Sequence, residues 1–217
     1  MKKLGLVHTS ATLVPVFAEL CEELLPGVAV FNIADDSLIK DVIVAGRLTP
    51  SVARRVASQV IAAHEAGADQ ILVTCSSIGD AVERAAALVE TPVLRVDQPM
   101  ADRAVQTGAK IGVAATLPTT LAPTADLIQR RADLAGKEIR LTAHLCEGAF
   151  EALMSGDSAK HDAMVAEALI KLAAQNDVVV LAQASMARVL TQIGELSTPV
   201  LSSPRLAVAH LAELSNA

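Results

Sequence analysis

Short apolar runs alternate with longer stretches of helical spacing along the whole chain. The runs are rich in Val, Ile and Leu and contain few polar residues, which is typical of parallel strands covered on both faces. The longer stretches repeat apolar residues every three or four positions, as amphipathic helices do. The pattern predicts strands near 3–9, 28–32, 70–74, 93–96, 110–115, 138–144, 177–182 and 199–201, and helices near 12–25, 50–66, 78–89, 98–107, 118–134, 147–154, 158–175, 186–193 and 204–215.

The second half of the chain repeats the first. Residues 4–9, LGLVHT, recur 107 positions later as IGVAAT at 111–116. The segment TPVL at 91–94 recurs at the same offset, as 198–201. Because the matches keep one order and one spacing, they indicate an internal duplication of an α/β unit.

The duplication predicts an α/β protein of two lobes related by a pseudo-twofold axis. Each lobe would be a four-stranded parallel sheet flanked by helices, the first made of residues 1–97 with 203–217 and the second of residues 98–202. Right-handed crossovers place the strand-to-helix loops at the carboxyl edge of each sheet, where ligands bind. If the lobes face each other, the site lies in the cleft between them.

Composition narrows the classes of function. The chain has 217 residues, 52% of them apolar and 19% charged, so a buried core is expected and disorder is not. Its formal net charge is −6, and it contains three Phe but no Tyr or Trp. An acidic chain without Tyr or Trp has neither the basic patch nor the stacking surface that nucleic acids need, so we expect no nucleic-acid partner.

Cysteine usage and hydropathy bear on where the protein works. Cys21, Cys75 and Cys146 are odd in number and far apart, so they predict neither a disulfide framework nor a metal knuckle. Cysteines that form no disulfide framework are typical of the reducing cytoplasm, so we expect the protein to be cytoplasmic. The longest apolar runs are too short for a signal peptide or a spanning helix, so we expect no membrane association. An Ala- and Leu-rich surface makes a homo-oligomer expected.

Cys75 is the sharpest candidate for chemistry. It ends an apolar strand and comes just before a predicted helix, where free N–H groups and the helix dipole favour a thiolate. We therefore expect Cys75 to have a lowered pKa and to act as a base or nucleophile. The alternative is a small buried residue at a tight turn. Ser76 and Ser77 offer donors for a carboxylate, or they cap the helix. Cys21, in contrast, lies on an apolar helical stripe and is expected in the core.

Hydroxyl groups follow the first strand and its repeat. Thr9, Ser10 and Thr116 are candidates for hydrogen bonds to a ligand carboxylate, with capping of the next helix as the alternative. His8 follows the same strand and is a candidate acid or base near neutral pH, unless it caps or lies at the surface. We expect the remaining histidines on helices, His161 among them, to be solvated.

A second loop combines His144, Cys146 and Glu147. These groups could assist proton transfer, but no fourth ligand is suggested nearby, so we predict no metal site. Neither strand 3–9 nor strand 110–115 is followed by the glycine pattern of a dinucleotide site, and the chain has no phosphate-binding loop. We therefore expect no nucleotide or metal cofactor.

The turn Thr74-Cys75-Ser76-Ser77, together with the segment AKIGVAAT at 109–116, resembles the aspartate/glutamate/hydantoin racemase superfamily over the whole chain. The resemblance implies two α/β lobes that each present a cysteine to the α-carbon of a small carboxylate substrate. One thiolate removes the proton and the other thiol returns one, without a cofactor. The residues implied in binding the substrate carboxylate are Ser10, Ser76, Ser77, Thr116 and Ser185.

The second lobe departs from this pattern. In the stretch VLAQASM at 180–186, Ala184 is expected where the second cysteine should stand, and no cysteine follows Cys146. Three readings stay open. Cys75 works with another group, such as His8, His144 or Cys146, in a racemase or isomerase; it acts alone, as in single-cysteine decarboxylases; or the protein binds a small carboxylate without turning it over. We expect racemase-type proton transfer first and the lyase second.

Overall fold

The structure, a computed structural model, describes residues 1–194 and 196–216. The chain divides into two compact units, Met1–Gln98 with Pro204–Ala217 and Pro99–Ser203. Each unit contains a four-stranded, entirely parallel sheet flanked by helices, which confirms the predicted α/β class. No helix in the described part of the chain is long and apolar enough to cross a membrane.

The sheet of the first unit has the strand order β2-β1-β3-β4. After β3, a 3-10 helix at Ser76–Ile78 leads directly into the helix α4. The elements of this unit are β1 (Lys3–His8), α1 (Leu13–Leu24), β2 (Ala29–Ala34), α2 (Ser37–Ala45), α3 (Pro50–Glu65), β3 (Gln70–Val73), α4 (Gly79–Ala86) and β4 (Val93–Arg95), joined by α9 (Ser203–Asn216) from the end of the chain.

Alternating strand residues build a separate core on each face of this sheet. Val7 and Ile71 face the helices α2, α3 and α4, while Leu6 and Leu72 face α1 and α9. Phe17, the bulkiest of the fully buried side chains, lies in the second core and contacts the His8 ring at a centroid distance of 5.7 Å. Cys21 is 3% exposed in the same core, as the sequence predicted.

The second unit repeats this order, with the sheet β6-β5-β7-β8. A 3-10 helix at Ala184–Thr191 follows β7, in the place that the shorter 3-10 helix has after β3. The elements are α5 (Gln98–Thr107), β5 (Lys110–Ala115), α6 (Pro118–Leu134), β6 (Arg140–Leu145), α7 (Ala149–Met154), α8 (Ser158–Ala173), β7 (Val178–Leu181) and β8 (Val200–Ser202).

Two helical expectations need correction. The sequence predicted no element in the segment that forms α2, although Leu38 and Val42 are spaced one turn apart and are fully buried, and Gly46 ends the helix in the left-handed region at φ 63°. The segment near 186–193 was expected to be an ordinary helix. It is a 3-10 helix that begins at Ala184, directly after β7.

The buried thiols predict how stability depends on pH. Burial raises the pKa of Cys21 and of Cys146 from 9.0 to about 11. Between these values the unfolded chain loses protons that the folded protein keeps, so the free energy of unfolding falls as pH rises from 9 to 11. The fall is about 2 to 3 kcal/mol for each thiol. Chemical denaturation across this pH range should show a clearly smaller fall for Cys21→Ala/Cys146→Ala, and equal falls would contradict the assignment.

Candidate active site

The carboxyl edge of the first sheet gathers residues from three loops. The strands β1, β3 and β4 are parallel neighbours, so the residues that follow them emerge at one edge. Thr9 follows β1, Cys75 follows β3, and Asp97 follows β4. The strand register sets their positions, because Val7 pairs with Val73 and Val73 pairs with Arg95. Each of the three residues lies two positions after one of these paired residues.

Cys75 occupies the N-cap position of the 3-10 helix that leads into α4, with extended backbone angles of φ −138° and ψ 118°. The Thr9 hydroxyl and the backbone N–H groups of Ser77 and Ile78 act on the sulfur in the direction that favours a thiolate. Burial acts more strongly in the other direction, and the negative charge of Asp97 adds to it, so the pKa of Cys75 lies above its ordinary value. The expected lowered pKa was wrong: desolvation outweighs the donors at the start of the helix.

A buried ion pair adjoins this thiol. Arg95 is 3% exposed and Asp97 is fully buried. The guanidinium donates from Nε to Asp97 Oδ1 at 3.0 Å and from Nη2 to Oδ2 at 2.9 Å, and from Nη1 to Glu83 Oε1 at 2.5 Å. Gly79 lets it approach, because a Cβ atom there would lie only 2.1 Å from Arg95 Cζ.

His8 has both ring nitrogens engaged. It is fully buried, with Nδ1 2.8 Å from Thr74 Oγ1 and Nε2 2.9 Å from Asn32 Oδ1. Burial lowers the pKa of His8, while the hydrogen bond with Asn32 acts the other way. A neutral imidazole held on both sides orients its neighbours and has no free nitrogen for a substrate, so this environment favours a structural part for His8.

The hydroxyl side chains predicted to bind the substrate differ in how far they are exposed. Ser76 and Ser77 are buried beside Cys75, 6% and 5% exposed. Ser10 is partly exposed and exchanges a hydrogen bond with the Thr12 hydroxyl at 2.8 Å, so it does not cap α1 with its side chain. In the second unit Thr116 is buried and Ser185 is exposed.

Gln183, not Ala184, takes the place of Cys75 in the second unit. Thr74 N–H donates to Val7 O, and Ala182 N–H donates to Ala114 O in the repeated unit, which fixes the alignment one residue away from the sequence expectation. Gln183 is accordingly the N-cap of its 3-10 helix, with φ −129° and ψ 137°.

The environment of Gln183 also repeats that of Cys75. Its Oε1 accepts hydrogen bonds from Thr116 N–H at 2.6 Å and from the Thr116 hydroxyl at 3.0 Å. Thr116 is the repeat of Thr9, whose hydroxyl acts on the Cys75 sulfur. An amide thus stands where the first unit has a thiol, and an amide does not exchange protons near neutral pH.

The second loop places His144 and Cys146 differently. His144 lies one residue before the end of β6, is partly exposed, and pairs with Ala114. Cys146 is 4% exposed in the core of the unit, which explains its raised pKa. No three His, Cys, Asp or Glu side chains within the described ranges are arranged to hold a metal ion.

His161 was missed by the sequence reading, which expected it to be solvated. It is fully buried near the start of α8, and its Nδ1 donates to Asp162 Oδ1 at 2.7 Å. Arg188 and Gln192, from the segment after β7, hold the same carboxylate. The mixed polar helix face around His161 suggested a solvated ring, whereas Arg188 and Gln192 bond to Asp162 and the ring itself is buried.

Comparison with known proteins identifies the family. The sequence profile of the Asp/Glu/hydantoin racemases matches residues 4–211. The chain belongs to this family. It is accordingly an enzyme of the racemase type that acts on a small carboxylate substrate, and the resemblance drawn from the Cys75 turn is confirmed.

Solved structures share the fold at low sequence identity. A candidate Asp/Glu racemase from Yersinia pestis matches with a TM-score of 0.79 and 19% identity over all of both chains. Allantoin racemase from Klebsiella pneumoniae matches with 0.73 and 19% over all of this chain and 88% of its own. Arylmalonate decarboxylase matches with 0.61 and 15% over 97% of this chain and 92% of its own. A comparison with curated protein sequences gives no significant match.

The close approach at Gly79 predicts a stability effect in this enzyme. Gly79→Ala forces the Arg95 guanidinium away from α4 and strains its pairing with Asp97, which should lower the free energy of unfolding by about 3 kcal/mol. In an Arg95→Ala background the added methyl meets no guanidinium and should cost less than about 1 kcal/mol. Urea denaturation of the four proteins measures the coupling. Equal costs in both backgrounds would show that the glycine has no such part.

Proposed function

We propose that this enzyme moves a proton at the carbon α to the carboxylate of a small substrate, without a cofactor, and that Cys75 is the group that exchanges it. The observation that carries the proposal is the setting of Cys75. The sulfur stands at the start of a helix, between a threonine hydroxyl and two backbone N–H groups, at the edge of a parallel sheet. Such a thiol has donors for its anionic form and a buried setting for its neutral form, as proton exchange with carbon requires.

The hydroxyls at the same edge are proposed to bind the substrate carboxylate. Ser76 and Ser77 come directly after Cys75, and Thr9 and Ser10 follow β1. Removing a proton beside a carboxylate builds negative charge on its oxygens, and donors fixed beforehand stabilise that charge. In the second unit Ser185 is proposed to contribute a donor as well, whereas the N–H and the hydroxyl of Thr116, also expected to bind the carboxylate, are already donated to Gln183.

The second proton needs a group other than a thiol. Gln183 replaces the cysteine, Cys146 is buried with a pKa of about 11, and both nitrogens of His8 are engaged. His144, partly exposed near the carboxyl end of β6, is the candidate these contacts leave, and we assign it the second exchange. An imidazole can both accept and donate a proton at its ring nitrogens, which suits this work.

Proton NMR in heavy water tests the assignment. The wild type, Cys75→Ala and His144→Gln are incubated with single enantiomers of amino acids and hydroxy acids, with hydantoins, and with substituted malonates. The wild type should exchange the α-proton and invert the configuration, and Cys75→Ala should lose at least about a hundredfold in rate. His144→Gln should slow inversion, because the second proton is assigned to His144. Cys21→Ala and His64→Gln, which remove a core thiol and a histidine bonded to Thr91, are the matched controls.

The other outcomes separate the alternatives. Loss of carbon dioxide with deuterium uptake at one face would replace the racemase assignment by a lyase. Saturation transfer from the protein to a carboxylate that neither exchanges nor reacts would make the protein a binder. Exchange that survives in Cys75→Ala would contradict the role of the thiol.

The alignment of Gln183 with Cys75 gives a sharper prediction. Gln183→Cys places a thiol next to the Thr116 hydroxyl, as Cys75 stands next to Thr9, and should raise the inversion rate by at least about tenfold. Ala184→Cys, one residue further on, is the matched control and should leave the rate unchanged. A gain in Ala184→Cys but not in Gln183→Cys, measured by polarimetry, would restore the alignment read from the sequence.

We also propose that the enzyme is a homo-oligomer of the cytoplasm. Cys21, Cys75 and Cys146 are free thiols, as a reducing compartment favours. Val44 and Leu134 are 89% and 77% exposed, so their apolar side chains are available to a second copy of the chain.

A further inference from the structure

The buried pair Arg95 and Asp97 lies at the same edge of the first sheet as Cys75. Arg95 is in register with Val73, so Cys75 and Asp97 lie two residues beyond paired positions of neighbouring strands. Side chains two residues apart along a strand point to the same face, so the thiol and the carboxylate leave the sheet side by side. The Asp97 carboxylate accordingly acts on Cys75 through its charge.

The second unit provides an internal comparison. By the alignment that pairs Cys75 with Gln183, Gly79 corresponds to Ala187, and the strand pairs Val73 with Arg95 and Leu181 with Ser202 make Arg95 correspond to Ser202. The position of Asp97 is taken by Pro204. The glycine that admits the guanidinium, the guanidinium and the carboxylate are thus all replaced in the unit that lacks the thiol.

Two arginines of the first unit are held by carboxylates. Arg95 is held by Asp97 and Glu83, with the Glu83 carboxylate 39% exposed. Arg55, from the first turns of α3, is bonded to Asp35 and Asp41. The other groups that act on the sulfur are neutral: the Thr9 hydroxyl and the backbone N–H groups of Ser77 and Ile78.

His8, one residue before Thr9, is a neutral ring held by Asn32 and Thr74. Asp80 lies in the first turn of α4 on an exposed position. Asp97 is therefore the buried carboxylate that faces the thiol among the described residues of this unit.

We propose that Asp97 is a positioning residue that adds to burial in keeping Cys75 in its protonated form, so that Cys75 begins the reaction as an acid. Arg95 fixes the carboxylate in place, and Gly79 makes room for Arg95. The inference rests on the proposed role of Cys75 and extends it to the order of events.

In the proposed step the S–H bond of Cys75 breaks as a C–H bond forms at the α-carbon. The carbanion forms when the second group, proposed to be His144, takes the α-proton of the substrate, so that a C–H bond breaks and an N–H bond forms. The electron pair of the carbanion then makes the new C–H bond, and the pair of the S–H bond stays on sulfur as a thiolate. That thiolate next to Asp97 is the less stable form, so it takes a proton from water and returns to the thiol, while the protonated second group releases its proton to water. No oxidant or further reactant is required.

The test is the pH dependence of alkylation of Cys75 by iodoacetamide, read by peptide mass spectrometry so that Cys21 and Cys146 are counted apart. Asp97→Asn should lower the midpoint pH by about half a unit, which raises the rate about threefold at a fixed pH below the midpoint. Glu83→Gln removes the other carboxylate on Arg95 and is the matched control. It should leave the midpoint at the wild-type value.

A second variant covers the case in which Asp97→Asn does not fold. Arg95→Gln/Asp97→Asn removes both charges together and should also lower the midpoint. An unchanged or higher midpoint in folded Asp97→Asn or in the double variant would overturn the proposal, as would an equal fall in Glu83→Gln. The readout needs no substrate, so a failure of the proposed reaction and a failure of this inference are told apart.

Discussion

The parallel pairing of β1, β3 and β4 is the constraint on which the site depends. Parallel strands end at one edge, so groups far apart in the chain, Thr9, Cys75 and Asp97, meet because their strands are neighbours in register. The sheet has one core on each face, packed against α2 to α4 on one side and against α1 and α9 on the other. Alternating apolar residues of the strands fill these cores and thereby fix the register. The duplicated sheet repeats the same edge with different chemistry at the position of the thiol.

At Cys75 two opposed effects set the state of the sulfur. The donors from Thr9, Ser77 and Ile78 stabilise an anion, while burial and the charge of Asp97 stabilise the neutral thiol, and the second pair is stronger. A thiol in this environment is a proton donor whose thiolate form is stabilised by hydrogen-bond donors that are already in place. That is a useful property in an enzyme that adds a proton to a carbanion and later has to recover it.

Much of the fold was readable from the sequence because strand cores and helix stripes carry strong periodicity. The strands were placed within a few residues, and Cys21 was correctly assigned to the core. The helix α2 was missed because its nine residues contain only one buried pair one turn apart.

The sequence was enough to propose the residue types of the candidate site, but not the direction of the pKa shift of its thiol. Cys75 and its hydroxyl neighbours follow from their place after a strand, whereas the sign of the Cys75 pKa shift depends on burial that a sequence does not show. The one-residue shift between Ala184 and Gln183 became visible only from the hydrogen bond of Ala182 to Ala114. The burial of His161 depends likewise on a carboxylate network assembled from distant segments.

The central claim, that Cys75 rests as a protonated thiol among donors for its anion, is tested most directly by NMR titration. Protein labelled with ¹³C at the Cys β-carbon would be followed from pH 6 to pH 11, with Cys75 assigned by its loss in Cys75→Ser. The account predicts that the Cys75 resonance titrates above the ordinary thiol value of about 8.5. A resonance that titrates below that value would show a thiolate at rest and contradict the account.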